Sequence, residues 1–537
     1  MNIDILITNG RIIDGTGSPW FWGDLGIGDV NTGEGRICAV GPPGSLKAGR
    51  TIDARGQAVC PGFIDMHTHS DLVPLTEPLH SAKLMQGVTT DVIGQDGLSY
   101  APLTDELVPY FRQCFKPING DPEGLDWKWR TVAEYLDMFD RRVAGNIVML
   151  VPHGNIRAAV LGLDSRAPTP EELVQMQRLT DQAMRDGAVG LSTGLTYAPC
   201  IYGDTHELAE LCKVVAKYGG FFAPHLRSYG ARMEEAVEEA IDICTKARIP
   251  LHLTHFNAGF STGKGKAEYY IERIDRARRE GLDVTADHYP YLAGSTFLSG
   301  ILPGWVHEGG LENVARRLRD AETRNRIRHE LEVTGCDGMH GVPIEWDRIV
   351  LSNVESEKNA ALVGLNFEEI SGRLGKPAMD CYADLLLEED FSAACLAFFG
   401  IEENVRRFMR HPAFMGGSDG LLIGVRPHPR AYGTFPRFLG KYVRELGILT
   451  LEDCVRKLTS LPARRLGFLD RGIIRPGMAA DLVIFDPDTV EDTATYDNPR
   501  SYPIGIPYVI VNGQIVKEDN TQTDALPGRA LKNPFVT

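Results

Sequence analysis

Apolar and polar positions alternate with two different periods along this chain, and the change of period divides it. The first sixty residues have the two-residue alternation of strands. Asp4-Ile-Leu-Ile-Thr-Asn-Gly-Arg-Ile-Ile-Asp-Gly reads as a β run, an Asn-Gly turn and a returning strand. Further β patterns follow at Gly26-Ile-Gly-Asp-Val, Gly35-Arg-Ile-Cys-Ala-Val-Gly and Thr51-Ile-Asp-Ala-Arg-Gly. The far end repeats the pattern in Ala480-Asp-Leu-Val-Ile-Phe-Asp and in Tyr508-Val-Ile-Val-Asn-Gly-Gln-Ile-Val, the second with another Asn-Gly turn. Two β-rich ends around a different middle predict one small β-sandwich domain assembled from residues 1–60 and 475–537.

Between them, short apolar runs alternate with longer amphipathic segments, the signature of a parallel sheet covered by helices. Eight candidate strands end near His67, Gly94, His153, Ser192, His225, His255, Asp287 and Asp419. Helices are expected between them, for example from Thr169 to Asp186, which opens on Thr-Pro-Glu-Glu, and from Glu234 to Ala247. Eight strand–helix units in residues 61–474 predict an α/β fold of (β/α)8 barrel type, with a doubly wound open sheet as the alternative. The span exceeds the roughly 250 residues of a typical barrel, and a mixed, polar insertion near 300–360 accounts for part of the excess. The barrel is preferred because ligand-type side chains end strand after strand, where a barrel brings them to one point.

Charge and composition narrow the function. The 537 residues carry 56 Lys+Arg against 72 Asp+Glu, a formal net charge of −16. Phosphate backbones and anionic lipid would repel such a chain, so the expected partner is a small molecule, with no nucleic acid and no membrane. No apolar run is long enough to span a bilayer, and the first residues lack the features of a signal peptide, which predicts a cytoplasmic protein. Ten cysteines without a C-x-x-C pair fit free thiols rather than a disulfide framework or a structural zinc site. The sequence leaves the oligomeric state open and is compatible with a homo-oligomer.

The sharpest chemical signal is Pro61-Gly-Phe-Ile-Asp-Met-His67-Thr-His69-Ser-Asp. Residues two apart in a strand face one side, so an H-x-H pair at a strand end offers two imidazoles to one ion. His225 in Gly-Phe-Phe-Ala-Pro-His and His255 in Leu-His-Leu-Thr-His end apolar runs in the same way. Either alone reads as a buried core histidine, whereas the four together read as a metal cluster. Asp419, in Met-Gly-Gly-Ser-Asp-Gly, supplies a carboxylate at the same end, and its plain alternative is a turn aspartate.

These residues, with the split β domain, resemble the amidohydrolase superfamily over nearly the whole chain. Three longer segments resemble the N-acyl-D-amino-acid deacylases within it: Ala188-Val-Gly-Leu-Ser-Thr-Gly-Leu-Thr-Tyr-Ala-Pro, Ala286-Asp-His-Tyr-Pro-Tyr-Leu-Ala-Gly-Ser-Thr and His428-Pro-Arg-Ala-Tyr-Gly-Thr-Phe-Pro-Arg. The resemblance implies amide hydrolysis by hydroxide generated on one or two divalent ions. Zinc is expected on His67, His69, Asp96, His225, His255 and Asp419, with Asp419 also the proton carrier. Asp96 stands where that family has a cysteine thiolate. Being a harder donor, it admits Mn or Co as well, and with no lysine near the end of strand four it is the candidate bridge. The alternative for Asp96 is a turn residue in Gln-Asp-Gly. Asn257 replaces a family lysine that helps hold the substrate carboxylate, while Tyr289, Ser295 and Arg430 occupy matching substrate positions. The missing cation keeps a rival open, a hydrolase of cyclic amides such as hydantoins, lactams or imides, and more distantly a non-catalytic metal-binding protein.

Other features read as structural. His153 and His288 fill no ligand position. His252 should face away from His255 by strand alternation, in a core or helix-facing role. Arg273, Arg276, Arg278 and Arg279 lie among acids on a predicted solvated helix face.

Overall fold

The computed structural model describes residues 3–536. Both ends of the chain enter one nine-stranded sheet. Its path runs through Thr521–Gln522, Gln514–Glu518, Tyr508–Val511, Leu482–Phe485, Ala58–Pro61, Ile5–Ile12, Phe21–Gly28 and Arg36–Gly41, with Arg50–Asp53 paired to Ile5–Ile12 off the path. The ends join where Ala58–Pro61 runs antiparallel to Leu482–Phe485. Alternation sorts the side chains of Leu482–Phe485. Leu482 and Ile484 pack with Ile5, Ile7, Leu25 and Ile27, while Val483 and Phe485 pack with Phe63, Phe435 and Phe438 beside the barrel.

The two Asn-Gly pairs behave differently. Asn512-Gly513 is the expected hairpin turn, with both residues at positive φ. Asn9-Gly10 does not turn the chain. Ile5–Ile12 is one strand with a bulge there, Asn9 at φ 56°, and its two halves pair with different strands, Arg50–Asp53 and Ala58–Pro61. A dipeptide that tolerates positive φ suits a bulge as well as a turn, and the available partner strands decide between them.

The middle of the chain is an eight-stranded parallel barrel. Its strands are Phe63–Asp65, Val88–Ile93, Asn146–Met149 continued by Val151–Pro152, Gly190–Gly194, Phe221–His225, Leu251–Leu253, Val284–His288 and Phe414–Gly416. Thr68 bridges Gly420 in parallel, joining the chain just beyond the first strand to that just beyond the last. Inside, Ile64, Met66, Val92, Val148, Leu150, Ala223 and Met415 form one apolar cluster. Outside, helices cover the strands. Pro170–Arg185 begins at the expected Thr169, whose hydroxyl and the Glu172 carboxylate form a capping box, and Met233–Ala247 covers the other expected segment.

Between the seventh and eighth strands the chain builds a separate unit. Strands Ala293–Phe297, Ala394–Phe398 and Ile349–Asn353 form an antiparallel sheet, and helices Leu311–Arg319, Ala321–His329, Phe367–Leu374 and Ala378–Glu388 pack on it around their own core. The segment 300–360 lies within this unit. The unit reaches further at both ends because its first and last strands pair with each other across about a hundred residues.

Candidate active site

Four imidazoles and two carboxylates meet at the carboxyl end of the barrel. His67 and His69 lie just past the first strand, which ends at Asp65. Their placement comes less from strand pleating than from the last strand's extension, since His69 N–H donates to Gly420 O at 3.1 Å and Asp419 N–H to His67 O at 2.7 Å. Asp96 follows the second strand on a tight turn at φ 54°. Gly94 makes that turn possible, for a Cβ there would lie 2.5 Å from Leu150 O. Gly97 N–H donates to Ser192 Oγ at 3.0 Å, and Gln95 Nε2 donates to Met66 O at 2.8 Å. His255 at φ 33° and Asp419 at φ 49° are also in the left-handed region, so three of the six groups are held by backbone that costs about 1–3 kcal/mol per residue to maintain.

The spacing within the cluster is too long for hydrogen bonds along most of its edges. Asp96 Oδ1 lies 3.7 Å from His67 Nε2 and 3.4 Å from His255 Nε2, and Asp96 Oδ2 lies 3.5 Å from His69 Nε2 and 3.7 Å from His225 Nδ1. His67 Nε2 and Asp96 Oδ1 are buried without a hydrogen-bond partner. Two donor sets result, His67 with His69 and Asp96, and Asp96 with His225 and His255, their atoms within 4.8 Å of one another. Buried donors held apart and facing one another, with Asp96 common to both sets, fit divalent cations between them.

The electrostatics of the cluster are mixed. Burial outweighs the pull of Asp96, Asp287 and Asp419 and brings His67 down to about 4. Burial also opposes a proton on His69, but the facing carboxylates of Asp419 and Asp96 win and push it up to about 10. Desolvation would raise Asp419, yet Arg430 and the histidines hold its carboxyl well below the ordinary carboxylate range. Its two oxygens differ. Oδ2 is ion-paired with Arg430 Nη2 at 2.9 Å, and Oδ1 faces His69 Nε2 at 3.3 Å and His67 Nε2 at 3.8 Å.

A cavity opens over this cluster, and Asn257, Tyr289 and Ser295 line it. Arg430 does not. It is wholly buried behind that wall, its guanidinium 4.5 Å from the Tyr289 ring centre, with Nη2 3.4 Å from Ser295 O.

Behind the candidate metal donors stands a support that departs from strand alternation. His252 does not face away from the site. Its Nε2 meets Asp287 Oδ2 at 2.9 Å and its Nδ1 meets Thr285 Oγ1 at 2.8 Å. Asp287 in turn accepts from His255 N–H at 2.8 Å and lies 3.9 Å from His67 Nδ1. Alternation fails because the strand ends at Leu253 and His255 turns out of it at positive φ. Asp287 itself was recognised only as a strand end; an acid at the end of the seventh strand, beside strands ending in histidines, was the available signal. A second support is Lys83, whose Nζ meets Asp65 Oδ2 at 2.5 Å and Ser418 Oγ at 2.6 Å, with no exposure to solvent to speak of. His340, from the unit between strands seven and eight, also lines the cavity, and burial drives it down to about 3. No spacing in the sequence tied it to the barrel.

The remaining candidates are structural. His153 bonds Glu207 at 2.7 Å and Thr193 at 2.8 Å behind the fourth strand, and His288 packs against Phe414 and Phe438. Arg273 and Arg276 pair with Glu238 and Glu280 on the surface of helix Ala267–Arg279.

Comparison with known proteins agrees with this geometry. The family model described as "Amidohydrolase family" matches residues 50–517. The chain is 34% identical to the D-aminoacylase of Alcaligenes xylosoxydans xylosoxydans over 98% of this chain and 97% of that one. It is likewise 34% identical to the N-acyl-D-glutamate deacylase of the same organism, over 99% and 96%. The solved structure of N-acyl-D-glutamate deacylase from Bordetella bronchiseptica, complexed with zinc and a phosphonate mimic of the tetrahedral intermediate, superposes with a TM-score of 0.83 at 34% identity, over 99% of this chain and 100% of that one. With its composite β domain, its barrel and its full-length likeness to these enzymes, the chain belongs to the amidohydrolase family, among the N-acyl-D-amino-acid deacylases.

Proposed function

We propose that this protein hydrolyses the amide bond of N-acyl-D-amino acids or closely related N-acyl compounds, and that His67, His69, Asp96, His225 and His255 are the residues that would hold one or two zinc ions. The observation that carries the reading is the convergence of two donor sets on Asp96 at the floor of a cavity, with Asp419 alongside. A divalent ion bound there would make its water acidic enough to yield hydroxide near neutral pH and would polarise the amide carbonyl.

The side chains do the rest. Asp419 Oδ2 is fixed by Arg430, which leaves Oδ1, on the side of His67 and His69, to take the proton of the attacking water and return it to the leaving nitrogen. Because its carboxyl is held low, Asp419 starts ionised, as a base must. Asp287, held by His252, fixes the His255 backbone through its N–H and places a carboxylate 3.9 Å from His67 Nδ1. Tyr289, Ser295 and Asn257 face the substrate, and Arg430 acts on it through Asp419 and Tyr289.

We further assign residues 1–60 and 475–537 to the composite domain and 61–474 to the catalytic barrel. A cytoplasmic site of action fits the ten free cysteines, most of them buried. No helix of the described residues is long and apolar enough to cross a membrane.

Asp419→Asn tests the assignment. The zinc-loaded variant is expected to keep its metal, measured by elemental analysis, and to lose about 10²–10⁴ of kcat on N-acetyl-D-amino acids. Turnover within tenfold of the parent protein removes Asp419 from the proton path. Hydantoins, dihydropyrimidines and lactams assayed in parallel separate acyclic from cyclic amide hydrolysis.

A further inference from the structure

Asp419 and Arg430 are both held from one short segment that contributes nothing to the cavity lining. Residues 80–87 carry a single turn of helix, Ser81–Leu84, and lead into the second barrel strand. Two of their side chains, Lys83 and Gln86, are buried, and neither lines the cavity.

Lys83 reaches the residue before Asp419. Its Nζ donates to Asp65 Oδ2 at 2.5 Å and to Ser418 Oγ at 2.6 Å. The Ser418 hydroxyl is fully used, since it also accepts from Gly420 N–H at 3.0 Å and donates to His67 O at 3.3 Å. Ser418 N–H donates to Asp65 Oδ1 at 2.8 Å. Asp419 therefore stands between two residues tied to one hydroxyl, and these ties hold its φ of 49° in place. Gln86 reaches the residue after Arg430. Its Nε2 donates to Ala431 O at 2.8 Å, and its Oε1 accepts from Phe435 N–H at 3.3 Å. Ala431 O and Phe435 N–H are an i, i+4 pair of helix Arg430–Arg437, so one amide clamps the first turn of the helix that begins with Arg430.

A Lys83–Asp65 pair alone would concern only folding. Here the second bond of Lys83 goes to the neighbour of one ion-pair partner, and Gln86, from the same segment, grips the neighbour of the other. We propose that Lys83 and Gln86 are positioning residues for the reaction, acting through Ser418 and Ala431 to keep Asp419 Oδ2 and Arg430 Nη2 at 2.9 Å and Asp419 Oδ1 on the side of His69. The inference rests on the reading of Asp419 as the proton carrier. A displacement of about 1 Å at such a group costs on the order of 10²-fold in rate.

The test uses the zinc-loaded full-length chain and N-acetyl-D-amino acids. Ser418→Ala leaves the Lys83–Asp65 pair intact and is expected to lower kcat about 10- to 100-fold, with KM within about threefold of the parent and zinc content unchanged. Gln86→Met is expected to show the same split, with a loss of about tenfold or more. Lys83→Met with Asp65→Asn removes the buried charges together; its kcat should stay down by about tenfold or more even where thermal unfolding matches the parent, and adding Ser418→Ala should cost less than about threefold more, because the two changes break one link. In crystal structures of Ser418→Ala and Gln86→Met the separation of Asp419 Oδ2 and Arg430 Nη2 should exceed about 3.5 Å. A kcat within about threefold of the parent in both single variants overturns the inference, as does a kcat that recovers with stability in the double variant, or a loss carried by KM alone. A loss in only one single variant overturns the half that rests on the other. A parent protein that hydrolyses no N-acyl amino acid overturns the reaction instead, and the crystal structures then decide the positioning, which an unchanged separation overturns.

Discussion

Arg430 is wholly buried, and its Nη2 lies 2.9 Å from Asp419 Oδ2. Replacing it with Gln keeps a hydrogen-bond donor of shorter reach and removes the cation. A hydrogen bond to a charged group contributes about 1.5–3 kcal/mol, and one pKa unit corresponds to about 1.36 kcal/mol. The carboxyl of Asp419 should therefore rise by about 1–2 units in the variant. The sign follows from linkage. In the parent protein the folded-state pKa is depressed, so the ionised carboxylate contributes stability above the unfolded-state value, and that stability is lost as pH falls through the folded-state pKa. Without the cation both the depression and that contribution shrink. A general base works only when ionised, so the acid limb of the kcat/KM profile should move to higher pH by about 1–2 units while the plateau near neutrality falls less. The assay is a pH–rate profile of the zinc-loaded protein on N-acetyl-D-leucine from pH 2 to 9, with metal content checked at every pH. Arg430→Lys should fall between the two, since an ammonium keeps the charge and loses the planar fork. An acid limb that does not move in Arg430→Gln refutes the claim that this guanidinium sets the charge state of Asp419.

Two further variants probe how the site is held. Asp96→Ala removes the group common to both donor sets, and bound zinc by elemental analysis should fall by at least one ion per chain relative to the parent under equal loading. Lys83→Met leaves Asp65 buried without its cation and should lower stability by about 3–5 kcal/mol, whereas Lys83→Met with Asp65→Asn should recover most of it, read as the shift of thermal unfolding.

The legible parts of this protein were those where one local pattern has one physical meaning. H-x-H after Pro-Gly-Phe-Ile-Asp, single histidines near the ends of apolar runs and a capping box at Thr169 each follow from short stretches of chain; the capping box forms as expected and the histidines meet in two donor sets, although His67, His69 and His255 lie past the ends of their strands. Asn9-Gly10 shows the limit. Positive φ at an Asn-Gly pair is a local property, but a bulge or a turn depends on strands forty and fifty residues away. His252 shows the same limit nearer the chemistry. Alternation holds only while the strand lasts, and the turn at His255 that ends its authority is fixed by Asp287, from a different strand.

The same contrast separates reaction from selectivity. The reacting groups end neighbouring barrel strands, where topology forces them together, so residue type and strand order suffice to find them. The wall that faces the substrate is assembled from Phe297, Ile301, Met339, His340 and Phe399, which meet only because Ala293–Phe297 pairs with Ala394–Phe398 and folds the intervening chain back over the barrel. Nothing in their spacing marks them, since a buried phenylalanine or methionine reads the same in a core as in a pocket. Arg430 is the mirror case. Its position was legible, but its company was not: paired with Asp419 and stacked on Tyr289, it stands behind the cavity lining, and among the described residues no lysine or arginine lines the cavity itself.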